Sequence, residues 1–331
     1  MVGKTIGFTY DLKTDHILQQ GLPEDALAEF DASETVDQIV RAVESGGHRV
    51  ERIGNVRNLL GRLPQLGVDI VLNICEGAGH RNRESEVPVI LELYRIPFVG
   101  SDGLSMGLTL DKLMAKKVFV ADGIPTPKYF IADRLIGLSN MDSMKFPFIV
   151  KPRYEGSSKG ISDDSIVYDK KKLKAQVDEI DSVYRQPALV EQFISGFEFT
   201  VLVVGNEKPI AYPPVQIQIC NKLDLGELIY TSRRLVTPDI EYICPSKITK
   251  ALDKKLRELA IAAYRAVDCR DFGRVDFRVD RKGNPYVLEV NPLPSLSTED
   301  VFSSIAKASG MTFEALILKI IDEALGRYGL Q

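Results

Sequence analysis

Hydrophobic positions along this chain alternate between short strand-like runs and helical stripes. Residues 4–9 and 68–74, the second reading VDIVLNI, are continuous enough in apolar character for short buried strands. Between them, 34–45 (ETVDQIVRAVES) repeats its apolar residues at three- and four-residue intervals and stops at Gly46-Gly47, which predicts a helix. A further helix is predicted over 86–94, ending before Ile96-Pro97. Strands alternating with helices predict a parallel α/β layer over roughly the first hundred residues. Residues 11–33 interrupt it with polar and acidic side chains, Gly21 and Pro23, and read as a long insertion free to move.

The pattern then changes. A helix over 111–123 stops at Gly-Ile-Pro-Thr-Pro, and FPFIVKP (146–152) is a strand that runs into the loop EGSSKG (155–160). DDSIVYDKKKLKAQVDEIDSVYR supplies a strand and a charged helix, ALVEQFI (188–194) another strand, and EFTVLVVGNEKPIAYPPVQIQI a hairpin turning at Gly205-Asn206. Amphipathic helices are predicted over 248–267 and 312–328.

One predicted hairpin, GRVDFRVDRKGNPYVLEVNPLPSLS (273–297), carries polar groups where a plain strand would not. Alternation puts Val275, Phe277 and Val279 on one face and Arg274, Asp276 and Arg278 on the other. In the second strand Tyr286, Leu288 and Val290 lie opposite to Val287, Glu289 and Asn291. A four-residue loop at 281–284 sets Asp276 across from Glu289 and Arg274 across from Asn291, with Phe277 against Leu288 and Val279 against Tyr286. Facing carboxylates repel, so a cation is expected between them. Oxygen ligands suit magnesium, which one or two carboxylates and substrate phosphates hold together. The alternative is a solvated strand face on which arginine compensates the acids.

Composition narrows the partners. The chain has 331 residues, 44% hydrophobic and 27% charged, a net charge of −4 and a pI near 5.6, which predicts two or three globular domains and argues against a nucleic-acid partner. The start has no signal-peptide hydrophobic region and no apolar run approaches a membrane span. Cys75, Cys220, Cys244 and Cys269 have no metal or CxxC spacing, and read as reduced, mostly core thiols of a cytoplasmic protein. His16, His48 and His80 do not cluster, so zinc and Ser-His-Asp chemistry have little to build on.

Two more stretches carry candidate chemistry. Lys151-Pro-Arg-Tyr-Glu-Gly-Ser-Ser-Lys-Gly160 places a cation at a strand end before a loop whose backbone N–H groups can wrap phosphate. The P-loop spacing is absent, and such a loop is also an ordinary surface connection. VEQFISGFE (190–198) ends a strand at Glu191 and sets Glu198 past a turn; both are either exposed acids or hydrogen-bond acceptors for a nucleoside.

In order, Asp111-Lys112, KPxxEGSSxG, VEQFISGxE and GRVDF…LEVN resemble the ATP-grasp superfamily, with the D-alanine–D-alanine ligase branch most similar, from about residue 68 onward. The resemblance implies a Rossmann-like parallel α/β domain (1–105), a central lid (106–197) and a C-terminal antiparallel domain with the metal site (198–331). Lys112 and Lys151 would hold ATP phosphates, and the loop with Glu155, Gly156, Ser157, Ser158 and Gly160 would close over them. Glu191 would accept from the adenine amino group, the backbones of Phe193 and Ile194 would line the adenine edge, and Glu198 would bind ribose. Asp276, Glu289 and Asn291 would ligate two magnesium ions, with manganese as a substitute. Arg274 would stabilise the transferring phosphoryl group, and Ser157 would order the acceptor side. The reaction implied is amide formation between a carboxylate and an amine through an acyl phosphate, in a chain that allows a homodimer.

Departures fall on the substrate side. The family's N-terminal glutamate, which binds the first amino group, is replaced by the 11–33 stretch, where Glu29 or Glu34 would have to substitute. A family Lys-Tyr pair is replaced by Arg233-Arg234-Leu235, which keeps cations for phosphate. Where the family binds the acceptor carboxylate with serine, this chain has Pro294-Ser295-Leu-Ser-Thr-Glu-Asp300. Asp300 would repel a carboxylate or else cap a helix at 300–308. Glu76, Arg83 and Glu84 are candidate substrate contacts, or a charge pair at a helix start. Three readings follow: a ligase for amino-acid-type substrates other than two D-alanines, a true D-alanine–D-alanine ligase, or a nucleotide-binding regulatory protein without turnover.

Overall fold

A computed structural model describes residues 3–15, 23–133, 141, 144–235 and 237–331. Three sheets organise them. In the first, β1 (Thr5–Tyr10), β2 (Arg49–Gly54), β3 (Ile70–Ile74) and β4 (Phe98–Val99) run parallel in the order β2-β1-β3-β4. Val71 of β3 packs with α2 (Val56–Arg62) and α3 (Glu86–Leu93), while Ile70 and Leu72 face α1 (Ser33–Ser45). Helices on both faces are what the unbroken apolar run of β3 requires.

After α4 (Gly103–Leu110) and α5 (Lys112–Ala121), the second sheet pairs β5 (Tyr129–Ala132), β6 (Phe148–Pro152), β7 (Ile166–Val167) and β8 (Ala188–Gln192) antiparallel in the order β5-β8-β6-β7. The charged helix α6 (Lys170–Tyr184) covers it with Leu173, Val177 and Ile180. Asp111 is shared between elements: its carboxylate accepts from Met114 N at 3.3 Å to cap α5 and from Arg153 at 2.6 and 2.7 Å.

The third sheet has β9 (Gly196–Val204), β10 (Ile210–Ala211), β11 (Val215–Ile219), β12 (Ile240–Ile243), β13 (Phe272–Asp280) and β14 (Pro285–Asn291) in the order β12-β11-β9-β13-β14, with β10 on β9. The short α7 (Ser232–Leu235) precedes β12, and α8 (Lys250–Ala266) packs Leu256, Ala260 and Ala263 on Val275, Phe277 and Val279. The mixed α/β architecture, a parallel sheet followed by antiparallel ones, is the one expected.

Two expectations are corrected. The β13–β14 register keeps Arg274 across from Asn291 and Asp276 across from Glu289, but a bulge follows Asp276, so Phe277 pairs Val287 and Val279 pairs Pro285. Val287 and Val290 therefore enter the core, and Leu288 and Glu289 both border the cavity described below. A bulge adds one unpaired residue and re-aims the side chain beside it. Secondly, the 11–33 stretch is not a free excursion: residues 23–31 pack with Glu29 and Phe30 buried, and 16–22 lie outside the described residues.

The chain ends where it began. Helices α9 (Val301–Ala308) and α10 (Phe313–Arg327) return from the third sheet to the first, placing Phe302, Ile305, Leu316 and Ile320 in one core with Ile6, Phe8, Ile39 and Leu72. Arg327 seals the joint, reaching Asp271 at 2.7 Å and Phe98 O at 2.8 Å. Ile320→Ala is expected to cost about 2–5 kcal/mol, read as a lowered urea midpoint together with early exposure of the first sheet to hydrogen exchange.

Candidate active site

A cavity of about 430 Å³ opens where the three sheets meet. Its floor is the polar face of β13 and β14. Asp276 accepts from Thr200 Oγ1 at 2.6 Å, from Arg274 at 3.0 and 3.1 Å and from Asn291 Nδ2 at 2.8 Å. Glu289 ion-pairs with Lys112 at 3.0 Å, and Lys112 Nζ also donates to Glu155 O at 2.6 Å. Burial works to raise the Glu289 carboxyl, but Lys112, Lys151 and Arg274 overcome it and hold it at about 2. The repulsion between facing acids is thus met by cations of the protein itself.

The fit to magnesium rests on this donor set. Two carboxylates and an amide lie on neighbouring strands, and among the described residues no three His, Cys, Asp or Glu side chains converge into a cage of their own. Phosphate oxygens would complete such a site, as magnesium prefers.

On the second sheet, Lys151 reaches Glu191 at 2.6 Å, and Lys116 ion-pairs with the other oxygen of the same carboxylate. Burial opposes ionisation of Glu191, yet the two lysines lower its pKa. Glu198 accepts from Arg278 at 2.9 Å; burial nevertheless raises its carboxyl. Arg278 also donates to Ile194 O at 3.0 Å and lies 5.2 Å from the Phe193 ring centre, fixing the segment between Glu191 and Glu198.

The glycine loop is held by the supposed insertion. Gly156 N donates to Glu29 Oε1 at 2.6 Å, Lys159 Nζ to Glu29 Oε2 at 2.9 Å and Gly160 N to Asp25 at 2.8 Å. A Cβ on Gly156 would lie 2.7 Å from Glu29 Oε1, so any larger residue would push that carboxylate aside. Ser157 and Ser158 take positive φ of 45° and 56° to carry the loop across the cavity. Of the two candidate N-terminal acids, Glu29 therefore enters the site, whereas Glu34 is exposed in the first turn of α1.

Glu76 and Glu84 line the same end with Glu29 and Asp31. Arg83 does not line the cavity but braces it from behind, donating to Glu29 at 2.5 Å and Tyr154 O at 2.7 Å, with Glu84 3.9 Å away. Burial raises Glu84 to about 7 and pushes Glu76 well above the carboxylate range. At the opposite end Asp300 caps α9, accepting from Val301 N at 2.6 Å, and still lies 3.6 Å from Arg274. The capping reading of Asp300 is thus met, and the same residue borders the cavity. Ser295 also lines the cavity, as do Tyr230 and Tyr242, whose hydroxyls hydrogen-bond at 2.6 Å.

Two further candidates stay outside. Arg233 pairs with Glu24 at 2.9 Å on the surface, and Arg234 is tied to Asp163 at 2.7 and 2.9 Å. Neither lines the cavity, because α7 presents both to acids of neighbouring segments. Conversely, Lys116, Lys159 and Arg278 were not singled out by sequence. Arg278 continues the alternation of Arg274 and Asp276, a signal that was present; nothing in the sequence marks Lys116 as buried.

The profile of the "D-ala D-ala ligase C-terminus" family matches residues 119–322. A D-alanine–D-alanine ligase of Carboxydothermus hydrogenoformans is 35% identical over 306 residues, covering 90% of this chain and 94% of that protein. The chain belongs to the D-alanine–D-alanine ligase family, in the ATP-grasp superfamily. An uncharacterized protein of Sinorhizobium fredii is 34% identical over 88% of each chain. The D-alanine–D-alanine ligase from Bacillus anthracis complexed with ATP superposes with a TM-score of 0.76 at 22% identity, covering 98% of both chains, and so shares the fold. The protein is an ATP-dependent, ADP-forming ligase, and the reading without turnover falls. D-alanine–D-alanine ligases use ATP and magnesium. No single helix among the described residues is long and apolar enough to cross a membrane.

Burial raises Asp31 to about 7, with Lys13 opposing and Asp11 adding to the shift. An acid with a folded pKa above its unfolded one binds its proton better when folded, so stability falls as pH rises from about 4 to about 7. Asp31→Asn is expected to raise Tm by several degrees at pH 8, with the gain vanishing near pH 4. Scanning fluorimetry at both pH values checks this, and a pH-independent gain contradicts it.

Proposed function

We propose that this ligase joins a carboxylate to an amine through an acyl phosphate, on amino-acid-type substrates other than two D-alanines. The observation that carries the substrate claim is Asp300, an acid inside the cavity 3.6 Å from Arg274. With Asp276 on its other side, Arg274 already serves two carboxylates. An acceptor carboxylate entering there would face uncompensated negative charge in a partly buried site.

In this reading, residues 106–197 are a lid over the nucleotide between the 1–105 and 198–331 units. Lys112 and Lys151 exchange their present carboxylate partners for phosphate oxygens. Glu191 accepts from the adenine amino group, the backbones of Phe193 and Ile194 line the adenine edge, and Glu198 binds ribose. Asp276, Glu289 and Asn291 would hold two magnesium ions, or manganese, which would supply charge to neutralise the triphosphate. A donor carboxylate oxygen attacks the γ-phosphorus and ADP leaves; the acceptor amine then attacks the acyl carbon, phosphate leaves and the nitrogen loses a proton. Arg274 lies where charge grows on the transferring group. Loop 155–160, with Ser157 on the acceptor side, keeps water from the acyl phosphate.

The competing reading is a true D-alanine–D-alanine ligase, favoured by the name of the Carboxydothermus relative. ADP release with D-alanine as sole substrate, compared with pairs of other acids and amines and with product masses, decides between them. Arg274→Ala, Glu289→Gln and Asp276→Asn are each expected to lower kcat by about 10²–10³, and EDTA to abolish turnover until magnesium is restored.

A second copy of the chain is proposed as the partner, the enzyme working in the cytoplasm where ATP is supplied. Leu93 and Leu104, 75% and 76% exposed, with Leu60 and Val89, are exposed apolar side chains on α2, α3 and α4 that a homodimer would cover. Light scattering should report a dimer, and Leu93→Asp with Leu104→Asp a monomer.

A further inference from the structure

Among the described residues, Lys116 is the one fully buried lysine that the proposed mechanism leaves unused. Its side chain has no exposed surface, although it carries a charge that burial penalises. The ammonium has two partners on separate elements: the Glu191 carboxylate of β8, and Thr126 Oγ1 at 2.8 Å. Thr126 in turn donates to Val287 O at 2.8 Å, and Val287 N donates to Pro125 O at 2.8 Å, so the segment after α5 is bound to β14. A relay therefore runs from the strand that carries Glu289, through Thr126 and Lys116, to the acid at the nucleotide end of the lid sheet.

The second lysine on Glu191 is Lys151, at 2.6 Å. The two differ in access: Lys151 and Glu191 line the cavity, whereas Lys116 sits behind the carboxylate. If Lys151 is to leave Glu191 for a phosphate, the acid needs a cation that stays. Otherwise the buried carboxylate would either retain Lys151 or take up a proton, and as a neutral acid it would no longer be an acceptor-only group for an exocyclic amine. We infer that Lys116 is a positioning residue for nucleotide binding, which keeps Glu191 ionised and aimed at the adenine end while Lys151 moves to the phosphates.

This rests on the assignment of Glu191 to the adenine made above. The groups facing Lys116 are Glu191 of β8, Lys151 of β6, Glu289 of β14, the Tyr129 ring of β5 at 5.8 Å and the Thr126 hydroxyl. Burial lowers the Lys116 ammonium to about 8 against the pull of Glu191. The relay is therefore sensitive to alkaline pH, and an arginine, which stays charged, would not be.

The test is calorimetric titration of the full chain with the magnesium complexes of AMP-PNP and GMP-PNP, for wild type, Lys116→Met, Lys116→Arg and Thr126→Val. Wild type should bind the adenine nucleotide more tightly than the guanine one, with the difference shrinking above pH 8. Lys116→Met should weaken AMP-PNP about tenfold or more and flatten the adenine preference, with donor and acceptor KM unchanged in rate assays at saturating ATP. Lys116→Arg should restore affinity and remove the alkaline loss. Should Lys116→Met fail to fold, Thr126→Val, which deletes only the hydroxyl end of the relay, must show a smaller loss of the same kind. Unchanged AMP-PNP affinity in well-folded Lys116→Met, or an equal rise in every KM, overturns the inference. A wild type that binds both nucleotides equally overturns instead the assignment of Glu191 to adenine.

Discussion

Two carboxylates cannot face each other across a β-ribbon in a partly buried site unless cations lie against them, and that requirement organises this molecule. Asp276 is answered from its own strand by Arg274, and Glu289 from α5 by Lys112. Lys112 touches Glu155 O of the glycine loop as well, so neutralising one acid of the third sheet also ties down the second. Glu191 and Glu198 repeat the arrangement with Lys116, Lys151 and Arg278. The sheets meet at their charges, and the cavity is the space those charges enclose.

Such a site is prepared for a polyanion. Lysines parked on carboxylates have already lost most of their water, so under the proposed function a triphosphate would replace one anionic partner by another with little further desolvation. The geometry at the two ends differs. At one end Glu29, held by Arg83, Lys159 and Gly156 N, fastens the N-terminal segment to the 155–160 loop. At the other, Asp300 spends one oxygen on the start of α9 while remaining within reach of Arg274. A single acid thus links the return of the chain to the first sheet with the Arg274 end of the cavity.

Much of this was legible in the residues. Period-two alternation in 273–291 placed Arg274, Asp276, Glu289 and Asn291 on one face, and the loop length gave their pairing correctly on the side away from the turn. It failed between the bulge and the turn, since no residue type announces a bulge. The helix signals at 34–45, 248–267 and 312–328 correspond to α1, α8 and α10 within one or two residues, because amphipathic stripes and caps are local. The polar run 11–33 was misjudged for the opposite reason: Glu29 is buried by three cationic and amide donors, none within fifty residues of it. Polarity marks a loop only when its partners are solvent.

What the sequence determined alone was the set of local choices: which segments are strand or helix, which face of the ribbon is polar, and which ordered motifs place the chain among ligases. Tertiary structure decided which charges meet. Whether Lys116 is buried, whether Arg233 reaches the cavity, and whether Asp300 caps a helix or borders a substrate all depend on contacts between residues far apart in the chain. The energy of a charge is set by what surrounds it in space, and that neighbourhood exists only once the sheets have packed.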